Sequence, residues 1–277
     1  MQEIPRVLSI AGTDPTGGAG VQADLKSIGA AGGYGMAVVT ALVAQNTQGV
    51  REVHAPPQEF FEAQLASVFD DVTVDAVKIG MLGDVVTAET ISRWLERQDV
   101  PIVVLDPVMV ATSGDRLLSE EAEQAVRELT RQATVVTPNL PELAVLVEGE
   151  TAGTLEEAIE QATRFAAQMN VSVLVKGGHL ASGRADNALV QADGSVHTVE
   201  VERVETKNTH GTGCSLSSAL ATRLGAGDSP EKAVEWASEW LRESIEFADE
   251  LHVGQGNGPV DHFHRMRRLA RDNGAAE

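Results

Sequence analysis

Residues 75–109 read DAVKIGMLGDVVTAETISRWLERQDVPIVVLDPVM, and this stretch decides the fold. Its two ends, DAVKIGML (75–82) and PIVVLDPVM (101–109), are apolar nearly throughout instead of alternating, as strands buried on both faces are. Between them DVVTAETISRWLER (84–97) has the pattern of an amphipathic helix. Strands of this kind separated by helices indicate an α/β fold with a mainly parallel sheet covered on both faces. The alternation continues outward. Upstream lie a strand over 6–12, a helix within 21–32, a strand over 35–44 and a helix over 57–71. Downstream come a helix over 119–132 and strands over 133–139 and 171–178 with helical segments between them. A hairpin follows over 187–201 with Asp193-Gly194 at its turn, and two helices begin near 213 and 229. With no linker, repeat or low-complexity segment, the 277 residues read as a single domain with its core at about 5–265.

The chain carries 41 acidic against 21 basic residues, a formal charge of −20. Only five of the basic residues are lysine (Lys26, Lys78, Lys176, Lys207 and Lys232). Such a surface argues against a nucleic-acid partner, which needs a basic footprint. Two explanations of the charge stand side by side. One is adaptation to high salt, where a Debye length of about 3 Å at 1 M removes self-repulsion; the other is an ordinary acidic enzyme. No apolar run approaches the roughly 18 residues that a membrane span needs, so no membrane partner is expected. The opening MQEIPRVLSIAG lacks the basic and long apolar regions of a secretory signal, and the single cysteine suits a reducing compartment; together they suggest the cytoplasm. One cysteine also excludes a Cys/His zinc cluster on numbers.

Polar residues punctuate the carboxyl ends of the strands, where open α/β sheets bind ligands: Gly12-Thr13-Asp14, Gln45-Asn46, Gly80-Met81, Asp106-Pro107, Asn139 and Lys176-Gly177-Gly178-His179. This ordering points to an enzyme. GTDPTGGAG (12–20) is neither a Walker A loop, since Gly18 stands where lysine is needed, nor a dinucleotide fingerprint, since the third glycine is missing. It is a loop whose backbone can approach a ligand. GTGC (211–214) opens a helix, where converging amides and the helix dipole favour an anion such as a transferring phosphoryl group. A thiol there is expected to have a lowered pKa, although a plain turn with a small buried cysteine has the same local pattern. TPNLPE (137–142) offers Asn139 and Glu142 on one face of a helical turn, either as oxygens that hold Mg²⁺ through water or as an N-cap pair. Lys176 closes VKGG (175–178) as a phosphate contact, and Lys78, Lys176 and Lys207 all stand beside motifs. His252, His262 and His264 lack enough neighbouring ligands for a metal site and read as surface or packing residues.

Taken in order, AGTDPTGGAGVQADLK, TALVAQNTQGV, VKIGML, LDPVM, TPNLPE, VKGGH, NTHGTGC and the terminal GPVDHFH resemble the hydroxymethylpyrimidine/phosphomethylpyrimidine kinases of the ribokinase superfamily, from about Arg6 to His264. The resemblance implies a three-layer α/β/α sandwich and ATP- and Mg²⁺-dependent phosphorylation. The acceptors it implies are 4-amino-5-hydroxymethyl-2-methylpyrimidine and then its monophosphate, in thiamine biosynthesis, by a homodimer. It makes Gln45 the pyrimidine reader, its amide matching the amino and ring-nitrogen edge, with Gly12, Asp24, Val43, Met81 and Val108 completing that pocket. It assigns Asn139, Lys176, Thr209 and His210 to ATP, and Glu142 and Asp106 to the metal. It makes Gly211, Thr212 and Gly213 the anion hole and Cys214 the catalytic base. One departure is Thr112, where bacterial relatives often carry lysine. A pyridoxal-type kinase and an inactive pyrimidine-binding relative are the competing expectations.

Overall fold

Short apolar runs build the central sheet of the computed structural model, which describes residues 3–109, 118–179 and 183–274. In chain order the elements are β1 (Arg6–Ala11), α1 (Gly20–Ala30), β2 (Tyr34–Val39), β3 (Leu42–Asn46), β4 (Gly49–His54), α2 (Gln58–Phe69), β5 (Ala76–Ile79) and α3 (Val85–Leu95). Then come β6 (Val103–Leu105), α4 (Glu120–Leu129), β7 (Val135–Val136), α5 (Leu140–Leu146), α6 (Leu155–Met169) and β8 (Ser172–Lys176). The chain continues through β9 (Asn187–Val190), β10 (Val196–Val199), α7 (Thr212–Gly225), α8 (Pro230–Glu246) and α9 (His264–Gly274). Eight strands form one sheet in the order β10-β9-β8-β7-β6-β5-β1-β2. Pairing is parallel from β2 to β8, and antiparallel for β9 and β10.

Because successive side chains on a strand point to opposite faces, the apolar runs feed two cores at once. Leu8, Ile79, Leu105, Val136 and Val173 pack with Phe61, Ile91, Val126, Leu143 and Phe165 from α2 to α6 on one face. Val7, Val104, Val135 and Leu174 pack with Ile28, Leu216, Leu220 and Trp240 from α1, α7 and α8 on the other. The layers are therefore α/β/α, as expected. The chain runs one way from β1 to β2 and the other way from β5 to β8, so the order of strands reverses between β1 and β5. In such sheets the crevice for a ligand lies beyond the carboxyl ends at that reversal.

Two departures from expectation matter for the crevice. The strand expected over 35–44 breaks after Val39. The Thr40 amide donates the last bond to Ala11 O (3.0 Å), and Thr13 then draws the chain off, its amide bonding Ala41 O (2.9 Å) and its hydroxyl accepting from the Val43 amide (2.9 Å). The chain emerges as β3, which pairs antiparallel with β4 in a separate two-stranded flap carrying a bulge between Ala44 and Gln45. All six residues of β4 are exposed, so GVREVH has no buried face that a sequence pattern could reveal. The second departure is α9, a polar helix not anticipated from sequence. It is tied down by ion pairs of Arg265 with Glu243, Arg267 with Asp261 and Arg271 with Glu250.

Candidate active site

The loop 12–20 and the turn before α7 are locked together at the switch point. Gly211 has φ +79°, a left-handed conformation that favours glycine, and a Cβ on it would run into the Gly18 carbonyl. Asp14 fastens the same junction. Its Oδ1 accepts from the amide and hydroxyl of Thr16 (2.9 and 2.7 Å), and its Oδ2 from the amides of Gly18 and Ala19 (3.0 and 2.8 Å) and from His210 Nε2 (2.9 Å). Burial disfavours this carboxylate, yet the bonds to His210 and Thr16 outweigh burial and hold its pKa well below the usual carboxylate range. Behind the turn, Ser215 donates to Gly211 O (2.7 Å) and pairs with His262 Nε2 (3.0 Å). The first turn of α7 is thereby fixed with its amides at the crevice, and no earlier helical carbonyl exists to receive them.

Facing that turn is a wired cluster of charge. Gly213 brings the backbone close to Asp106 and Lys176: a Cβ there would sit 3.4 Å from Asp106 Oδ2 and 3.5 Å from Lys176 Nζ. Lys176 donates to Asp106 Oδ1 (3.2 Å), which Thr137 also reaches (3.2 Å), while the Ser217 hydroxyl lies 3.5 Å from Oδ2. Burial opposes the charge on Lys176, but Asp106 and Glu142 outweigh it and raise its pKa. Asn139 and Glu142 form a reciprocal capping box at the start of α5. Glu142 Oε2 accepts from the Asn139 amide (2.9 Å), and Oε1 accepts from the Met109 amide (3.2 Å). Burial, reinforced by Asp106 and opposed by Lys176, pushes the Glu142 pKa up. The Met109 bond steadies the turn after β6, in which Val108 has φ +42°, an uncommon conformation for a β-branched residue.

The acceptor side lies across the same edge. A Cβ on Gly12 would meet Met81 Cε at 2.6 Å and Val43 Cγ2 at 3.6 Å, so these three residues surround one small space. Thr40 Oγ1 donates to Met81 O (2.7 Å) and pins that wall. Gln45, half-buried on the flap, has no side-chain hydrogen bond among the described residues. Cys214 adjoins this pocket through Gly20, whose amide favours the thiolate and where a Cβ would run into Gly12 O.

Three expectations need correction. The thiol of Cys214 is not poised by a lowered pKa: burial pushes it up to about 11, with Asp24 and Asp106 adding to the shift and Lys78 opposing it. Asp24 does not face the pocket. Its fully buried carboxylate accepts from Lys78, Ser9 and Ser218 and has no open side. The His210 ring is committed to Asp14 and joins two loops, while exposed Thr209 stands at the rim. Thr112 lies outside the described residues. His262 and His264 are buried and bonded within the protein, as packing residues are. The sequence reading placed Asp14 at a strand end but gave it no role, and it passed over Ser215. The spacing Asp14–Thr16 carried a signal for the first, since aspartate two residues before a threonine is a turn-forming pattern.

Among the described residues no three His, Cys, Asp or Glu side chains cluster as a metal site. Asp106 Oδ2, met only at 3.5 Å by Ser217 and close to Gly213, leaves a hard oxygen beside the helix turn. That suits Mg²⁺, which binds through one or two carboxylates together with substrate phosphates.

Comparison with known proteins gives the chain a family. The family model described as phosphomethylpyrimidine kinase matches residues 14–261. The chain is 61% identical over 267 residues to the thiamine biosynthesis multifunctional protein ThiED of Corynebacterium efficiens, covering 96% of this chain and 36% of that protein. It thus spans about a third of that relative's length. It is 48% identical to the hydroxymethylpyrimidine/phosphomethylpyrimidine kinase of Salmonella typhimurium, covering 95% of this chain and 99% of the relative. Among solved structures, an ADP complex of Bacillus subtilis pyridoxal kinase superposes with a TM-score of 0.87 at 34% identity, covering 94% of this chain and 98% of the other.

Proposed function

The chain belongs to the phosphomethylpyrimidine kinase family, a family of phosphotransferases, and we propose that it phosphorylates 4-amino-5-hydroxymethyl-2-methylpyrimidine and then the resulting monophosphate, at the expense of ATP, in thiamine biosynthesis. One observation carries the reading. The first turn of α7, faced by Lys176 and Asp106, shares a sheet edge with the small space between Gly12, Val43 and Met81, and Gln45 lies two residues beyond Val43 on β3 with no side-chain hydrogen bond among the described residues.

In this reading the pyrimidine lies on Met81 and Val43 with its amino edge on Gln45, whose carbonyl accepts and whose NH₂ donates. The γ-phosphate lies against the amides of 211–214 and the Lys176 ammonium. The acceptor oxygen attacks phosphorus in line as the bond to the ADP oxygen breaks. In the first transfer Cys214 first gives its own proton to solvent, and the acceptor O–H proton then passes to the thiolate sulfur, leaving the thiol; in the second the acceptor is a phosphate monoester, already anionic because its second pKa is about 6. A thiol held protonated in the resting site is a strong base once ionised, and Lys78 and the Gly20 amide both favour that ionisation. Asp106, with Glu142 behind it through water, would hold Mg²⁺, which supplies charge neutralisation on the phosphates. Asn139 serves mainly to hold Glu142.

The reading extends to one kinase domain over the chain, a cytoplasmic location and a homodimer. Leu42, Val50 and Val53 expose apolar surface on the flap for a second copy. Pyridoxal is the second acceptor to weigh, because of the structural likeness to a pyridoxal kinase. A coupled ADP-release assay with hydroxymethylpyrimidine, its monophosphate and pyridoxal, at low and high KCl, tests the whole. Turnover of both pyrimidines well above pyridoxal is expected. Turnover of pyridoxal alone, or of none of them, would overturn the reading.

A further inference from the structure

Lys78 is one of five lysines in the chain, and its side chain is wholly enclosed. Phosphate transfer as set out above gives it no direct contact with either substrate. We propose that Lys78, held by Asp24 beneath the first turn of α7, is a positioning residue that sets how readily Cys214 takes up a proton. The inference deepens the base role given to Cys214 and rests on it.

The geometry fixes the ammonium closely. Lys78 Nζ lies 2.8 and 2.9 Å from the two oxygens of Asp24. Ser9 donates to Asp24 Oδ2 (2.6 Å) and Ser218 to Oδ1 (2.8 Å), so the carboxylate is saturated and cannot swing away. Ser218 stands four residues beyond Cys214, on the same face of α7, which puts the pair one turn below the thiol. At the other end, a Cβ on Gly80 would come within 2.9 Å of Lys78 Nζ. The ammonium therefore sits under the carboxyl end of β5, next to the Met81 wall of the acceptor pocket. Asp24 is its one hydrogen-bonding partner among the described residues, so the third ammonium proton is not needed to hold the pair.

Four charged groups bear on Cys214: Lys78 from β5, Asp24 from α1, Asp106 after β6 and Lys176 at the end of β8. Lys78 favours the thiolate against burial, whereas Asp24 and Asp106 disfavour it. Asp24, joined by Asp106, in turn keeps Lys78 charged against its own burial. A pair kept only to cross-link the sheet to α1 and α7 would be a poor device. Apolar residues of similar volume do that without stripping water from two ions.

Cys214 is the one cysteine of the chain, so alkylation by iodoacetamide reports on it alone. At pH 8, well below the ionisation of this thiol at about 11, the rate is proportional to the thiolate fraction. In the full-length protein the double variant Lys78→Met/Asp24→Asn removes both charges and should slow alkylation about tenfold. Asp24→Asn alone leaves the ammonium unopposed and should speed it about threefold or more. Opposite signs from two changes in one pair are what a merely structural role would not produce. Wild-type rates in both folded variants, or shifts in the same direction, would overturn the inference. Should the double variant fail to fold, an Asp24→Asn rate equal to or below wild type does so alone. The expected alkylation pattern, found together with undiminished alcohol phosphorylation by Cys214→Ala, would uphold the coupling and sink the base role instead.

Discussion

On the phosphate side of the crevice, Asp106, Lys176, Asn139 and Glu142 are each fixed by a bond to a protein neighbour, with Asp106 Oδ2 left towards the α7 turn. On the acceptor side, Gln45 stands on a two-stranded flap whose residues Leu42, Val50 and Val53 are exposed, and its amide has no hydrogen bond among the described residues. The difference follows from the demands of each half. A transferring phosphoryl group rewards donors and charges that need no rearrangement as charge develops. An acceptor that must be recognised, and then admitted again with a phosphate attached, is better read by a group free to re-pair. The phosphate wall is thus an extension of the core, whereas the acceptor wall is an appendage to it.

The strongest way to break this comparison is at the junction of the two walls. Gly211→Ala forces a Cβ into the Gly18 carbonyl at a left-handed position, and neither backbone can yield. A thermal melt should show a marked loss of stability, with no measurable ADP release. Next comes the phosphate wall itself. Lys176→Met removes the charge proposed to face the γ-phosphate and leaves Asp106 without its ion partner, so kcat should fall about 10²–10³-fold for both acceptors. On the acceptor wall, Gln45→Leu should raise the KM for the pyrimidine about tenfold with kcat within about twofold, since a hydrogen-bonded pair is lost in ground and transition states alike. Steady-state kinetics with ATP saturating separates the two patterns.

The smallest effect is one of pH. Burial, helped by Lys26, Arg267 and His264, lowers the pKa of His262 from 6.5 to about 3. A group whose folded pKa lies below its unfolded value stabilises fully above the unfolded pKa, and its contribution is lost as pH falls toward the folded one. Stability should therefore decline between about pH 6.5 and 3, and His262→Asn should flatten that decline by about one proton in urea melts taken across the window.

The same contrast governs what the sequence disclosed. The sheet was legible because strands such as DAVKIGML are buried on both faces and leave continuous apolar runs. Asn139, Glu142, Lys176 and the 211–214 turn were legible because they sit at fixed places on those strands and helices. The flap was not: β4 has no buried face, and the break after Val39 depends on bonds from Thr13, distant in sequence. Pairings across the chain were equally hidden. Nothing local in VQADLK says that Asp24 meets Lys78 in the core, and nothing in NTHGTGC says that His210 is spent on Asp14. The sign of the thiol shift also escaped, because a helix amino terminus favours the thiolate while burial, visible only in three dimensions, overrides it.

The base role proposed for Cys214 applies to the first acceptor and has little to do for the second. It is tested most directly by measuring turnover of the alcohol and of its monophosphate by Cys214→Ala under the same ATP and Mg²⁺. A loss of about 10²–10⁴-fold is expected with the alcohol and a far smaller one with the monophosphate. Equal losses with both acceptors would contradict it, and would mean that the thiol serves the shape of the α7 turn.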